Sequence, residues 1–447
     1  MKQNMERTPA AQEGLSEEAI SQYVQQMSDC NVHAYMISRN GQVVAEGAFA
    51  PHQLEEPHTI YSLTKTIQAL AVGLAVSEYG LNVDDLVVKF FPDYQDRCKN
   101  PIIQKCTVRN LLTMNCGLPC EHSDHDFYES EDWVEEFFTT ATLHEPGTYF
   151  EYDNRCAYML SAIVTKVTGQ SVAHLLQEAV FTPMGIEDVY WESDKNGISQ
   201  GGWGIQTSLE TITKLGNLFL NGGTWNGHSL VSRNWVQQSF TVQVPTNRLS
   251  DASKQYGYGY QVWKGAPKGV WCGRGAFGQL CIICQEQNMV ISTFAGSQNY
   301  NDLLQATWDF LNRVDQKKQD CIAGKELIAT ENRFKVEAVK LSLGTTDRLE
   351  LKVNGTQLTL NIGHGIWERN LLPVESFQIM ETLAYQNVAC RSHWEGQDYV
   401  LELSYLDTPY TDEVRVVPGI QESKVVYRCY PQIRLRGGEY QFALRCK

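Results

Sequence analysis

The chain places a serine and a lysine three residues apart where an apolar segment begins, as Ser62 and Lys65 in IYSLTKTI. Positions i and i+3 lie on one face of a helix, one turn apart. The helix dipole and apolar surroundings both disfavour a protonated ammonium at a helix start. Such a lysine could lose its proton near neutral pH and accept the proton of the serine. The pair is therefore a candidate activated nucleophile.

A simpler interpretation of the same pair is structural. Ser62 could be the N-cap of the helix, and Lys65 could run its alkyl stem over apolar surface while its ammonium reaches solvent. The S-x-x-K spacing alone occurs by chance in many proteins. The choice between these interpretations therefore depends on the elements that surround the pair.

The segment that carries the pair is predicted to be a helix over residues 62–79, ended by Gly80. Apolar residues occupy nearly its whole circumference, which predicts a helix covered on most sides. Two β-rich runs precede it and flank Asn40-Gly41, a strong hairpin signal. Strand patterns return over residues 257–295, and helical patterns fill most of the segment between. The sequence thus predicts a sheet, helices packed on it, and a mostly helical insertion.

The rest of the chain divides by composition and periodicity. We expect a disordered tail over residues 1–14, a catalytic-type domain over 15–314 and a polar linker over 315–327. Residues 328–447 alternate with a two-residue period between turn signals, which predicts a small β-barrel or β-sandwich. This C-terminal β-domain carries no catalytic constellation. It could shape a cleft, bind a partner or mediate oligomerisation.

Composition narrows the possible partners and compartment. The 447 residues are 43% hydrophobic and 20% charged, with a formal net charge of −15, which argues against nucleic acid or an anionic membrane as the main partner. The chain shows neither an apolar export signal at its start nor an uncharged run that could span a bilayer. Its 13 cysteines are odd in number and irregularly spaced, which favours reduced thiols. We expect a cytoplasmic protein that acts on a small molecule, with its oligomeric state left open.

Three ordered motifs resemble one known family. YSLTKTIQALAVGLAVSEYG and TVRNLLTMNCGLP resemble the class C β-lactamases and penicillin-binding-protein-like serine hydrolases, with their family VIII-type esterase and D-aminopeptidase relatives. The family's Tyr-x-Asn motif behind a Pro-Gly turn matches Tyr152-Asp153-Asn154. Its Lys-Thr-Gly or His-x-Gly strand matches Arg274-Gly275-Ala276. The resemblance covers residues 15–314 and implies an α/β (α+β) fold, in which helices flank an antiparallel sheet beside a helical subdomain.

The resemblance also implies a role for each matched residue. Ser62 would be the nucleophile and Lys65 its proton acceptor. Tyr152 would carry the proton to the leaving group, which requires a neighbouring ammonium to lower the pKa of its phenol. Asn154 would bind Lys65 and the substrate, and the backbone N–H groups of Ser62 and Phe277 would form the oxyanion hole. The implied reaction is cofactor-free hydrolysis of a small ester, a D-amino acid amide or peptide, or a β-lactam.

The third motif departs from the family pattern. Arg274 replaces Lys or His, and a guanidinium can bind a carboxylate but cannot shuttle protons. It could recognise a substrate carboxylate, stabilise the Tyr152 oxygen, or pair with an acid such as Asp153. Asp153 itself could hold a substrate amine or face solvent. Ala276 stands where the motif has glycine, and its methyl group could crowd a bound substrate. These two departures motivate an alternative function, a catalytically impaired ligand-binding protein in which Arg274 binds a carboxylate.

Two weaker expectations concern the surroundings of the cleft. Five side chains that can bind zinc fall within ten residues: Cys116, Cys120, His122, Asp124 and His125. Their spacing does not match a zinc finger or ribbon, and the resembled family needs no metal, so we expect a polar loop and no metal site. Trp203 and Tyr128 are expected to line an apolar pocket for the acyl group.

Overall fold

The structure is a computed structural model, and the described residues form two compact units. It describes residues 4–95, 97–98, 100–119, 130–322, 324–332, 335–343, 346–364, 366–373, 385–395, 398–406, 411–418, 422–430 and 439–446. The first unit comprises Met1–Glu13 and Ile20–Trp308, and the second comprises Gly14–Ala19 and Asp309–Lys447.

The helices lie mainly in the first unit. In chain order they are α1 Glu17–Asp29, α2 Leu63–Glu78, α3 Val108–Leu112, α4 Trp133–Thr139, α5 Asn154–Thr168, α6 Val172–Leu176, α7 Leu209–Leu220, α8 Arg233–Ser239 and α9 Asn301–Ile322. Within the part of the chain that the structure describes, none of them is long and apolar enough to cross a bilayer.

The strands of the first unit form one six-stranded sheet and two short ribbons. They are β1 Val32–Arg39, β2 Gln42–Ala48, β3 His58–Thr59, β4 Tyr190–Trp191, β5 Ile205–Thr207, β6 Thr224–Trp225, β7 His228–Ser229, β8 Trp263–Lys264, β9 Val270–Gly275, β10 Gln279–Cys284 and β11 Met289–Ala295. The main sheet is antiparallel, in the order β2-β1-β11-β10-β9-β8. Strands β9, β10 and β11 are buried along their whole length, because helices cover the sheet. The predicted antiparallel sheet flanked by helices is confirmed.

The hairpin and the apolar helix predicted from the sequence are both present. Asn40 and Gly41 join β1 to β2 with φ values of 52° and 82°, the positive pair that a tight hairpin turn requires. Helix α2 is buried continuously from Leu63 to Ala75. It ends where the N–H groups of Tyr79 and Leu81 donate to Ala75 O, on either side of Gly80. Helix α2, which starts directly after Ser62, therefore runs through the core of the first unit. The hairpin supplies two neighbouring strands of the main sheet.

Two predicted segments differ from the structure. Residues 4–13 of the expected disordered tail are ordered, because Arg7 forms salt bridges to Glu46 and Glu210 at 3.0 Å each. The expected linker begins as helix, since α9 continues to Ile322. The Gln and Lys residues of this segment are good helix formers. Its polar composition is therefore compatible with a helix and does not by itself indicate a linker.

The second unit contains the β-barrel that the two-residue periodicity predicts. Its strands are β12 Glu326–Ala329, β13 Val336–Ser342, β14 Thr346–Val353, β15 Thr356–His364, β16 Glu368–Pro373, β17 Tyr385–Glu395, β18 Asp398–Tyr405, β19 Thr411–Val417, β20 Glu422–Tyr430 and β21 Glu439–Cys446. They pair in the order β15-β14-β13-β12-β21-β20-β19-β18-β17-β16, and a parallel β15–β17 pairing closes the barrel. A buried carboxylate, Asp347, accepts hydrogen bonds from Tyr399 Oη at 2.9 Å and Ser392 Oγ at 3.0 Å.

Close packing between α2 and α8 gives a test of the fold. Gly73 faces the Trp235 indole, and a Cβ at Gly73 would lie 2.4 Å from Trp235 Cδ1. The indole is held there because its Nε1 donates to Ala69 O at 2.9 Å. We expect Gly73→Ala to destabilise the fold by about 1–3 kcal/mol through overpacking. This outweighs the gain in helix propensity of about 1 kcal/mol.

Chemical denaturation of purified variants measures this effect. Ser77→Ala is the matched control, since Ser77 lies exposed in the same helix and the change removes only a long hydrogen bond, from Ser77 Oγ to Leu74 O at 3.4 Å, besides altering helix propensity. A Gly73→Ala protein as stable as the wild type would contradict the packing of Trp235 against α2.

Candidate active site

Ser62 occupies the N-cap position of α2 without acting as a cap. Its side chain makes no capping hydrogen bond, and its backbone is helical at φ −65° and ψ −9°. The preceding residue, Tyr61, has a φ of 48°, which turns the chain sharply into the helix. The residues before Ser62 are held by β5, since Ile60 N donates to Ile205 O at 3.0 Å. The interpretation of Ser62 as a simple N-cap is wrong, and its hydroxyl is available for other contacts.

Lys65 is buried, with 1% of its surface exposed. Its Nζ donates to Ser62 Oγ at 3.2 Å, to Asn154 Oδ1 at 2.5 Å and to the Gly202 carbonyl oxygen at 2.8 Å. The interpretation of Lys65 as a surface lysine whose ammonium reaches solvent is therefore wrong. We call these three acceptors the amine cage. They match the three donors of an ammonium group.

Tyr152 lies against the same amine. Lys65 Nζ is 4.7 Å from the centroid of the Tyr152 ring, which is within cation–π distance. The Trp263 ring stacks on Tyr152 with centroids 5.5 Å apart, and Tyr258 meets it edge-on. Burial raises the pKa of the Tyr258 phenol well above its usual range, and the adjacent Tyr152 contributes to the rise. Tyr258 therefore stays neutral, and the aromatic packing sets the position of the Tyr152 ring.

Two glycines of β9 allow this strand to approach the start of α2. A Cβ on Gly273 would lie 2.3 Å from Leu63 Cδ1, and one on Gly275 would lie 2.1 Å from the Ile60 carbonyl oxygen. Side chains at these positions would push the strand away from Ser62. The close approach places Phe277, which follows β9, against Tyr61 with ring centroids 5.3 Å apart. The segments that contain Ser62 and Phe277 are thus neighbours, as an oxyanion hole shared between them requires.

Arg274 does not pair with Asp153, so that interpretation is wrong. The arginine is buried, with 4% exposed, and it donates to Ser253 Oγ at 3.2 Å and to Ser253 O at 2.9 Å. Its guanidinium carbon lies 5.8 Å from the centroid of the Trp263 ring. Because Trp263 stacks on Tyr152, Arg274 is linked to the site through that indole. Neither Ser253 nor Trp263 was predicted, since no motif in the sequence marks them.

Asp153 takes neither of the two orientations expected for it. Its carboxylate binds Arg155 through Nε at 3.0 Å and Nη2 at 2.5 Å, and both side chains are 1% exposed. It also accepts from Arg155 N at 2.7 Å, which caps α5. Arg155 in turn donates to Pro119 O at 2.8 Å. The pair therefore anchors the helix start that presents Asn154, and Asp153 faces neither solvent nor a substrate amine.

Most of the segment over residues 116–125, which we expect to be a polar loop without a metal, lies outside the described residues, together with Tyr128. Cys116 is described and buried, and its Sγ lies 3.3 Å from Cys156 Sγ. Among the described residues, no group of three or more His, Cys, Asp or Glu side chains is placed to hold a metal ion. Trp203 is half-buried and packs against Trp133 with ring centroids 5.9 Å apart. It directly follows Gly202, whose carbonyl belongs to the amine cage, so Trp203 borders the site.

Comparisons with known proteins bear on the family and the fold of the chain. Residues 20–316 match the family described as Beta-lactamase. A 6-aminohexanoate-dimer hydrolase from Paenarthrobacter ureafaciens is 22% identical over 283 residues, which are 57% of this chain and 70% of that protein.

Solved structures extend the likeness to the fold. A candidate 6-aminohexanoate-dimer hydrolase from Bacillus anthracis aligns with a TM-score of 0.57 at 20% identity, covering 66% of this chain and 82% of that one. The octameric penicillin-binding protein homologue from Pyrococcus abyssi aligns with a TM-score of 0.53 at 16% identity, covering 95% of this chain and 99% of that one. At these identities the likeness shows the fold alone.

The buried Asp153–Arg155 pair gives the test of this site's architecture. Asp153→Asn leaves the Arg155 guanidinium buried without its counter-ion. We expect a loss of about 3–5 kcal/mol in the free energy of unfolding. The double variant Asp153→Asn/Arg155→Met removes both charges and should recover part of the loss. Equilibrium denaturation measures both, and a neutral effect of Asp153→Asn would contradict the pairing.

Proposed function

The chain belongs to the Beta-lactamase family, a family of hydrolases, and on this premise we propose that it cleaves an ester or amide through an acyl-Ser62 intermediate. One observation carries the proposal: the buried Lys65 amine lies 3.2 Å from the Ser62 hydroxyl. A nucleophile within hydrogen-bond reach of a buried base is the arrangement that activates a serine. Ser62 serves as nucleophile, and Lys65 and Tyr152 serve as general bases.

The proposed acylation moves one proton across the site. Ser62 Oγ attacks the substrate carbonyl carbon while its one proton passes to Lys65, which hands it on to Tyr152 as Tyr152 gives up its own phenol proton. That phenol proton goes to the leaving alcohol or amine, and the C–O or C–N bond breaks. Water repeats the sequence on the acyl-enzyme, which releases the acid and restores the Ser62 hydroxyl. The Lys65 amine lies 4.7 Å from the centroid of the Tyr152 ring, so the two proposed bases are neighbours in the site.

The charge that develops on the carbonyl oxygen needs fixed donors. We assign this role to the backbone N–H groups of Ser62 and Phe277, whose segments meet through the Tyr61–Phe277 ring contact. Phe277 has a φ of 65° and a ψ of 12°, a left-handed conformation that is rare for an aromatic residue. Strained backbone of this kind is concentrated at functional sites. Donors held in place before the reaction stabilise the oxyanion without reorganisation.

The proposed substrates are a small ester, a D-amino acid amide or peptide, or a β-lactam, in that order. The name of the Paenarthrobacter relative denotes the dimer of 6-aminohexanoate as its substrate, which supports amide cleavage. The alternative, a ligand-binding protein with Arg274 as its carboxylate anchor, requires an accessible guanidinium. Arg274 is buried and donates to Ser253, which weighs against that alternative.

Two matched variants test the proposed bases. Tyr152→Phe keeps the ring that stacks on Trp263 and removes only the hydroxyl. Lys65→Met keeps a flexible side chain of similar length and removes the amine. Because a general base contributes on the order of 10²–10⁴-fold, we expect each variant to lower kcat for p-nitrophenyl butanoate by that range.

Ser77→Ala, an exposed serine in the same helix, is the control and should keep full activity. Circular dichroism checks that each variant remains folded. A folded Tyr152→Phe or Lys65→Met protein that retains most of its kcat would contradict the assignment of these two bases.

A further inference from the structure

Two solvent-exposed aromatic rings stand beside the proposed nucleophile. Tyr61 directly precedes Ser62 and is 37% exposed, and Phe277 is 43% exposed. Their ring centroids are 5.3 Å apart at an interplanar angle of 72°, which is an edge-to-face contact. We call this exposed pair the aromatic wall. It presents apolar surface at the point where a substrate would meet Ser62.

The backbone of both residues makes their aromatic side chains unexpected. Tyr61 has a φ of 48° and Phe277 a φ of 65°, both in the left-handed region. Glycine and asparagine adopt this region readily, whereas a bulky side chain there is an outlier. Burial compensates for this strain only in part, because 37% of Tyr61 and 43% of Phe277 remain exposed. Exposed aromatic surface at two strained positions beside the nucleophile suits contact with a molecule outside the chain.

The proposed reaction indicates which part of a substrate reaches the wall. The carbonyl oxygen would face the N–H groups of Ser62 and Phe277, and the leaving group would face Tyr152. The remaining substituent of the carbonyl carbon is the acyl group. We propose that the aromatic wall binds this acyl group and selects apolar acyl chains, an inference that rests on the proposed function.

Charge at the site is consistent with an apolar acyl group. Lys65 and Arg274 are the cations contributed by the matched motifs, and both are buried. Lys65 donates to the amine cage, and Arg274 donates to Ser253. Lys254, whose Nζ lies 5.8 Å from the centroid of the Trp263 ring, is paired with Asp251 at 3.1 Å, so each of these three cations is already engaged within the chain. The wall therefore favours hydrocarbon over a carboxylate-bearing chain of the same length.

A series of esters with one leaving group isolates the acyl preference. The probes are p-nitrophenyl acetate, butanoate, hexanoate and hydrogen succinate. For the wild type we expect kcat/KM for hexanoate to exceed that for acetate by about tenfold, since several methylenes leave water for the wall. The succinate, which has the same chain length as butanoate but a terminal carboxylate, should be cleaved less efficiently than butanoate.

Substitutions at Tyr61 test the aromatic wall without adding backbone strain. Tyr61→Asn removes the ring and suits the left-handed conformation, and it should reduce the hexanoate-to-acetate ratio to about twofold or less. Tyr61→Phe keeps the ring and should retain the ratio. Tyr190→Asn removes an exposed tyrosine from β4 and should leave the ratio unchanged.

The outcomes separate this inference from the proposed function. Ester turnover with no preference for longer chains, or a preference that survives Tyr61→Asn, would overturn the aromatic wall while the hydrolase assignment stands. Loss of the preference in Tyr190→Asn as well would also overturn it, because the effect would not be local to the wall. Absence of turnover of every ester by the wild type would overturn the aromatic wall, and absence of a fluorophosphonate adduct on Ser62 as well would overturn the proposed function.

Discussion

Burial of the Lys65 amine is the constraint on which the site depends. An amine with 1% exposure needs acceptors in place of the water that it loses, and three of its acceptors come from different parts of the chain. Ser62 precedes α2, Asn154 begins α5, and Gly202 lies before β5. The fold must therefore fix three separate segments to within hydrogen-bond distance of one atom. The same constraint places a hydroxyl nucleophile beside a potential base.

Several features that look unrelated serve this arrangement. The Asp153–Arg155 pair anchors the start of α5, and this holds Asn154 against the amine. The small residues of β9 let the strand reach the start of α2, and this brings Phe277 beside Tyr61. Trp263 stacks on Tyr152 and is flanked by Arg274, so the substituted third motif supports the position of the tyrosine ring. Arg274, which departs from the family pattern, is thus built into the packing around the site.

The sequence was informative where residue type and spacing carry the chemistry. The S-x-x-K pair, the Tyr-x-Asn motif and the apolar helix marked Ser62, Lys65, Tyr152 and Asn154, and the structure brings the other three around the Lys65 amine. The Gly202 carbonyl could not be predicted, because a backbone acceptor leaves no residue type to recognise. The sequence did not indicate that Asp153 pairs with Arg155. Whether two opposite charges two residues apart are buried together depends on the surrounding packing, which the sequence does not reveal. The ordered tail depended on Arg7 meeting Glu210, a contact between residues far apart in the sequence.

The measurement that most directly tests an activated Ser62 is intact-protein mass spectrometry after treatment with a fluorophosphonate. The reagent phosphonylates a serine hydroxyl only where a neighbouring base raises its nucleophilicity. The account predicts one adduct on the wild type, located by peptide mapping to Ser62 and absent from Ser62→Ala. An unmodified wild type, or an adduct that persists in Ser62→Ala, would contradict it.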